Sequence, residues 1–398
     1  MNPRLDLLKP YPFERLRALL ADATPSSEYP THINLSIGEP KHDTPEIIKQ
    51  AINANLAGLS NYPATKGDFE LREAISHWIA RRYDIPAPNP DTEILPCLGS
   101  REALFSFAQT ILDGNPDSIV VCPNPFYQIY EGAAYLGGAT PYFVNSDPAR
   151  NFAPDWESVP EEVWKKTQLL YICSPGNPAG NVTPIEEWRY LFELSDKYGF
   201  VIASDECYSE IYFEEKPLGV LQAARFCGMN DYKNMVCFSS LSKRSNVPGM
   251  RSGFVAGDAN LLAKFLRYRT YHGSAMSSVI SAASIVAWND EQHVEQNRAL
   301  YQEKFQKVFP ILSSVLDVKM PDASFYLWAG TPVADTQFSK ALFEQANVTL
   351  LPGSYLSRPG SLDGTNPGFK RVRIALVAPV EQCVEGAERI AEFIRKNY

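Results

Sequence analysis

The feature that most restricts the fold lies between Glu93 and about Asn289, where short runs apolar along their whole length alternate with helical patterns. The strand candidates span residues 94–97, 118–122, 140–144, 169–173, 201–204, 235–238 and 253–256. A strand with one wet face alternates apolar and polar side chains; a run that is apolar throughout must be covered on both faces. Helices between successive strands supply both the covers and the crossovers of a parallel sheet. The expectation is therefore an α/β chain, with a three-layer α/β/α large domain and a mostly parallel sheet. Ligands should gather beyond the strand ends.

The two ends of the chain read differently. Residues 12–21 form a short amphipathic pattern with Phe13, Leu16, Leu19 and Leu20 on one face. A strand over 33–40 ends at a turn around Gly38, and Thr44 is placed to cap a helix with Pro45 at its first position, running to about Ala57. From Asp290 a long helical stretch reaches about Leu316. It is followed by a strand at 325–328, a helix at 336–345, short strands near 348–351 and 372–376, and a last helix from Val380. That is an antiparallel α+β pattern, against which the N-terminal arm is expected to pack. The reading is residues 1–44 as arm and part of a small domain, 45–289 as a large domain, and 290–398 as the rest of the small domain. A length of 398 residues suits two cores better than one.

Charge and cysteine usage narrow the function classes. With 37 basic and 46 acidic residues the net charge is −9, which argues against non-specific nucleic-acid binding. It also means that an anionic substrate must be held by locally placed arginines. The seven cysteines are an odd number without a Cys-x-x-Cys pair and read as small buried hydrophobes, and the five histidines show no ligand spacing, so no metal is expected. No apolar run approaches the ~20 residues of a membrane-spanning helix, and the first twenty or so residues lack the apolar core of a signal peptide. A reducing cytoplasm is the expected location.

The chemistry centres on Phe238-Ser239-Ser240-Leu241-Ser242-Lys243-Arg244-Ser245-Asn246-Val247-Pro248-Gly249-Met250-Arg251-Ser252-Gly253. A strand ends in serines and one lysine; a Pro-Gly turn, an arginine and another strand follow. A lysine held between two strands can form a Schiff base with a carbonyl compound once deprotonated. Hydroxyls and a guanidinium beside it suit a phosphate. Together these features suggest a lysine that holds an aldehyde cofactor carrying a phosphate, which means pyridoxal 5'-phosphate. The plainer reading is a surface lysine on a polar loop, and the remaining motifs decide between the two.

Each of those motifs also has a plainer reading. Leu98-Gly99-Ser100-Arg101-Glu102 opens a helix, either as an ordinary serine cap or as an anion site of free N–H groups and the Ser100 hydroxyl. Asp205 ends a strand; it could cap a helix, or reach a cofactor over the sheet and hold a pyridine nitrogen protonated. Ser174-Pro175-Gly176-Asn177-Pro178-Ala179-Gly180 is a Pro/Gly turn by composition. Tyr127, just past another strand end, serves equally as a core aromatic. Arg371 and Arg373 share one face of a strand, where edge arginines are commonly just solvated.

Taken in order, these segments resemble the class I and II aminotransferases of the aspartate aminotransferase superfamily. The resemblance implies pyridoxal phosphate on Lys243, with Asp205 at the ring nitrogen and Tyr208 at the ring's 3-oxygen. Asn177 would reach that oxygen and the substrate carboxylate, and Tyr127 would stack on the ring. Ser100 and Arg101 of the helix-opening turn, with Ser240 and Arg251, would bind the cofactor. Arg373 would grip the α-carboxylate, with the backbone of Gly38 close to the same group. Ala179 stands where threonine is more usual in the Asn-Pro-x-Gly loop, which leaves Asn177 in place. Tyr62 resembles the tyrosine that reaches the neighbouring subunit's phosphate, so a homodimer is implied.

A narrower resemblance is to proteobacterial N-succinyldiaminopimelate aminotransferases. It rests on Pro10-Tyr11-Pro12-Phe13-Glu14, Ser36-Ile37-Gly38-Glu39-Pro40-Lys41-His42, Asn124-Pro125-Phe126-Tyr127-Gln128-Ile129-Tyr130-Glu131-Gly132, the segments around Asp205 and Lys243, and Tyr268-Arg269-Thr270-Tyr271-His272-Gly273. This implies transfer between N-succinyl-LL-2,6-diaminopimelate and 2-oxoglutarate. The distal carboxylate needs its own cation, and Lys66, Arg15, Arg17 and Arg358 are the candidates. Rival readings are an aspartate-, aromatic- or acetylornithine-type aminotransferase, a β-lyase on the same scaffold, and a non-catalytic ligand-binding regulator.

Overall fold

The computed structural model describes residues 1–398. Its strands in chain order are β1 Ile33–Asn34, β2 Ile94–Cys97, β3 Ile119–Asn124, β4 Thr140–Asp147, β5 Ala153–Pro154, β6 Thr167–Cys173, β7 Val201–Asp205, β8 Met235–Ser240, β9 Gly253–Gly257, β10 Tyr326–Gly330, β11 Val348–Thr349, β12 Leu351–Pro352 and β13 Arg371–Ala375. Eight of them form one sheet in the order β2-β9-β8-β7-β6-β3-β4-β5. The pairs β8/β7, β7/β6, β6/β3 and β3/β4 are parallel.

Successive residues of these strands enter different cores. Leu169 and Tyr171 of β6 pack with the helices Ser100–Ile111, Ile129–Gly137 and Ala259–His272. Leu170 and Ile172 pack with Phe69–Tyr83, Ile185–Tyr198 and Ser278–Asn289. This is why the runs are apolar at every position: a period of two places alternate side chains under opposite helix layers, and neither face is wet.

Two strands depart from parallel order: the two-residue β5, antiparallel to β4, and β9, antiparallel to both β8 and β2. Between β8 and β9 the chain runs only through the short helix Leu241–Arg244 and the turn Pro248–Met250. No sheet-crossing helix fits in that link, so the strand returns beside its predecessor.

A second, three-stranded sheet, β10-β13-β12, is antiparallel. It packs with the helices Gln292–Ser313, Asp335–Ala346 and Val380–Asn397, and Ile33 and Leu35 of the N-terminal segment join that core. β1 pairs in parallel with β11, and the Ala375 amide donates to the Leu35 carbonyl at 2.7 Å. Strand structure stops at Asn34, and residues 35–38 run on without regular pairing towards the large sheet. The expected Thr44 cap does not form. Pro45 is the cap residue, the helix is Glu46–Ala54, and Leu56–Ser60 winds as a 3-10 turn. Thr44 Oγ1 points instead at the Asn246 carbonyl, 3.5 Å away. No helix is long and apolar enough to cross a membrane, and all seven cysteines are free.

Candidate active site

Register gathers the chemistry-bearing ends. Cys97, Gly253 and Ser240 stand side by side across β2, β9 and β8, and Cys173, Asp205 and Phe238 across β6, β7 and β8. The loops leaving β2, β3, β6, β7 and β8 therefore open along one edge, where ligands of parallel sheets bind. Segment 37–39 and β13 close over that edge. The result is a cavity of about 530 Å³ lined by Gly38, Ser100, Arg101, Tyr127, Asn177, Asp205, Tyr208, Ser240, Lys243, Arg251 and Arg373 among others. Tyr62 is absent from it: its side chain is fully exposed and reaches no site on its own chain.

Lys243 sits on the short helix after β8, its Nζ 2.6 Å from the Gly38 carbonyl and 5.2 Å from the centre of the Phe325 ring. Burial pushes its pKa down from 10.5 to about 8, and the nearby Arg373 and Arg251 act in the same direction while Cys207 and Glu39 oppose them. A buried ammonium is penalised relative to the neutral amine, and the neutral amine is the nucleophile.

Asp205, the last residue of β7, is 4% exposed. Its Oδ2 accepts from the Tyr130 hydroxyl at 2.8 Å and its Oδ1 from the Cys207 amide at 3.4 Å. Burial raises its pKa despite these donors. A carboxylate whose burial outweighs its donors gains from a proton-bearing ring nitrogen brought beside it. The adjacent acid, Glu206, does not line the cavity; it accepts from Ser204, Tyr83 and the Val220 amide. Tyr130 is a site residue that the sequence reading left without a role. Its only local signal is its place three residues after Tyr127, in the first turn of the helix Ile129–Gly137 that Tyr127 precedes.

An anion cradle lies at the β2/β8/β9 edge. Gly99, not Ser100, is the cap of the helix Ser100–Ile111, with φ +81°, and a Cβ there would stand 2.2 Å from Arg251 Nη2. The missing side chain is what lets the guanidinium lie against the helix start. Arg251 donates to the Pro248 carbonyl, Ser240 Oγ accepts from the Ser242 amide, and the Cys207 thiol approaches Ser100 Oγ at 2.9 Å. Free N–H groups, hydroxyls and a guanidinium thus converge, as a phosphate requires.

Opposite them, β13 carries Arg373. The strand lies between β10 and β12 and is not an edge. Arg373 is 4% exposed, donates to Asn177 Oδ1 at 3.0 Å and the Ser36 carbonyl at 2.8 Å, and lies over the Tyr326 ring. Its Nε is buried without a partner. Such a fork is built for a carboxylate. Gly38 is glycine for a reason beyond close approach to a carboxylate, since a Cβ would stand 1.9 Å from the Tyr326 hydroxyl. That hydroxyl pairs with the Tyr208 hydroxyl at 3.1 Å. Tyr326 carries no local sequence signal and enters only through the second sheet.

At the mouth, Arg101 donates to the Tyr11 hydroxyl at 2.8 Å and lies near the rings of Tyr11 and Tyr127. None of the four distal-carboxylate candidates lines the cavity. Arg358 is engaged by both Glu131 oxygens at 2.9 and 2.7 Å, Lys66 pairs with Asp91, Arg15 stacks on Tyr355, and Arg17 points to solvent.

Comparison with known proteins agrees with this geometry. The family described as aminotransferase class I and II matches residues 30–390. An LL-diaminopimelate aminotransferase of Aquifex aeolicus is 34% identical over 396 residues, 98% of either chain. One from Dehalococcoides mccartyi is 30% identical over 99% of this chain and 98% of its own. A crystal structure of an aminotransferase from Neisseria meningitidis superposes with a TM-score of 0.95 at 54% identity, covering 99% of this chain and all of that one. The aminotransferase AspB from Helicobacter pylori does so with 0.90 at 35%, covering 98% of this chain and all of its own. With its fold, its lysine-centred cavity and a family match over nearly its whole length, the chain belongs to the class I and II aminotransferases and is a pyridoxal-phosphate-dependent enzyme.

Proposed function

We propose that the enzyme transfers an amino group between N-succinyl-LL-2,6-diaminopimelate and 2-oxoglutarate, giving N-succinyl-2-amino-6-oxopimelate and glutamate. One observation carries the transaminase reading. Lys243, Asp205, Arg373 and the anion cradle of Ser100, Ser240 and Arg251 line a single cavity. The narrower substrate reading rests on the sequence resemblance and on relatives whose names place them on diaminopimelate.

When bound, the cofactor supplies an aldehyde that takes up amines and a ring that accepts the electron pair released at the substrate's α-carbon. The protein's part follows from its side chains. The neutral amine of Lys243 takes the proton from the α-carbon and returns it on the other side of the exchange. Asp205, held by Tyr130, would keep a proton on the ring nitrogen. Arg373 and Asn177 orient the α-carboxylate, so that the α-proton faces Lys243. Ser100, Arg101, Ser240 and Arg251 would hold the cofactor, with Tyr127 placed to stack on its ring and Tyr208 to donate to its 3-oxygen.

The active unit is a cytoplasmic homodimer in which the exposed Tyr62 of one subunit reaches the phosphate site of the other. Light scattering should give twice the chain mass, and Tyr62→Phe should weaken cofactor binding without changing the fold.

The test is turnover with 2-oxoglutarate. The succinylated substrate should exceed aspartate, phenylalanine and acetylornithine by about 100-fold or more in kcat/KM, a margin that buried polar recognition sustains. Free LL-diaminopimelate is the second reading, favoured by the relatives' names, and faster turnover of it would replace the first. Release of pyruvate from cystathionine would indicate a lyase. A near-visible absorption band that Lys243→Ala abolishes checks the lysine itself, and a band that survives the substitution would remove Lys243 from the cofactor.

A further inference from the structure

The helix Gln292–Ser313 turns one face to the back of the Lys243 segment. On it Asn297 and Lys304 stand seven residues apart, two turns along one stripe. They are 5% and 1% exposed. The His42 ring lies between them, its Nδ1 2.7 Å from Asn297 Oδ1 and its Nε2 2.7 Å from Lys304 Nζ.

Proton bookkeeping gives this contact a direction. An ammonium only donates, so His42 Nε2 accepts, the ring proton sits on Nδ1, and Nδ1 donates to Asn297 Oδ1. The same oxygen accepts from Asn246 Nδ2 at 2.8 Å. Asn297 Nδ2 is left to donate to the main-chain carbonyls of Lys243, at 3.1 Å, and Arg244, at 3.3 Å. Along the path Lys304–His42–Asn297 each donor therefore points towards Lys243, while Asn246 donates back into Asn297 from the Lys243 side. His42 also stands four residues after Gly38, whose carbonyl accepts from Lys243 Nζ. Both the amine and the main chain of Lys243 are thus tied to segment 38–42.

Lys304 donates a second bond to the Val377 carbonyl, at 3.2 Å, and has no carboxylate partner. Burial lowers its pKa to about 8 and keeps the His42 ring below its ordinary value, with Lys304 adding to the effect on His42. A buried lysine without an acid is costly, and a core that needed only filling would take methionine there. The space between the two lysines is closed by rings. Lys304 Nζ lies 4.9 Å from the Tyr301 centroid, Tyr301 stacks on Phe325 at 5.5 Å, and Phe325 lies beneath Lys243.

We propose that Lys304, His42 and Asn297 are positioning residues that lock segment 38–42 and the Lys243 main chain into one unit. The amine freed in each half-reaction then returns to the same place. This rests on Lys243 being the cofactor lysine.

The test uses the full-length protein and the variants His42→Phe, Lys304→Met and Asn297→Ala. Hydrogen exchange on the cofactor-free protein should rise about 10-fold or more in peptides covering 241–249, while β3 and β6 stay protected. With cofactor, kcat should fall about 10- to 100-fold and KM stay within about 3-fold, the pattern of lost positioning. His42→Asn keeps a donor to Asn297 and should recover much of kcat; it also keeps the test decisive if His42→Phe does not fold. Unchanged local exchange with kcat within about 2-fold of wild type, or exchange raised evenly over the whole chain, overturns the proposal. The exchange experiment needs no cofactor. Failure of the underlying reading would show separately, as a near-visible band that survives Lys243→Ala.

Discussion

Burial of Lys243 has a direct chemical consequence. Stripping the enzyme of its cofactor and raising the pH exposes the amine's own titration. Its pKa falls from 10.5 to about 8, a depression of 10.5 − 8, or about 2.5 units. At neutral pH this multiplies the neutral, nucleophilic fraction roughly 300-fold over a lysine in a short peptide, to about one molecule in eleven. The assay is competitive labelling with a trace amine-reactive reagent between pH 6 and about 11, with Lys243 read by peptide mass spectrometry. The midpoint should fall near 8. A stability effect accompanies it. Because the folded pKa is below the unfolded one, the penalty on the ammonium is fully present below pH 8 and disappears as pH rises through 10.5. The cofactor-free protein should gain up to about 3 kcal/mol across that window, and Lys243→Met should lose this dependence. A labelling midpoint close to 10.5 would falsify the claim that the cavity desolvates the amine.

Three substitutions probe the site's construction. Gly38→Ala places a Cβ 1.9 Å from the Tyr326 hydroxyl and should cost about 100-fold in kcat/KM. Adding Tyr326→Phe should recover part of it, and a single variant within about 3-fold of wild type refutes the contact. Gly99→Ala meets Arg251 Nη2 at 2.2 Å and must hold φ near +81°. Cofactor Kd, measured by fluorescence titration, should rise about 10-fold or more, whereas an unchanged Kd removes Arg251 from the cradle. Tyr130→Phe deletes the 2.8 Å donor to Asp205 and raises an already elevated carboxyl further. The lost bond is worth about 1 to 1.5 kcal/mol, or roughly 10-fold in kcat; a full-rate variant shows that Tyr130 leaves Asp205 unaffected.

Much of this protein was legible in one dimension because its chemistry sits at the ends of parallel strands. Such strands are apolar throughout and stand out from their surroundings. The residue just past each one is a local feature: Gly99-Ser100 opening a helix, Asp205 closing a strand, Asn177 in a Pro/Gly turn, Lys243 among serines. Short-range chemistry selects those residues, so short-range reading finds them. The sequence could not say that β9 turns back beside β8, because strand direction depends on how a link crosses the sheet and not on the strand's own pattern. Nor could it assign Arg358 to Glu131, since a long charged side chain finds its partner only in three dimensions.

The sequence by itself therefore determined the α/β class, the lysine and the set of loop residues that face it. Only the tertiary structure decided that Tyr326 forces a glycine at 38, that Tyr130 holds Asp205, and that Lys304 reaches Lys243 through His42 and Asn297. The reason is physical. Each of these contacts joins elements far apart in the chain, and packing sets its geometry where no local propensity can.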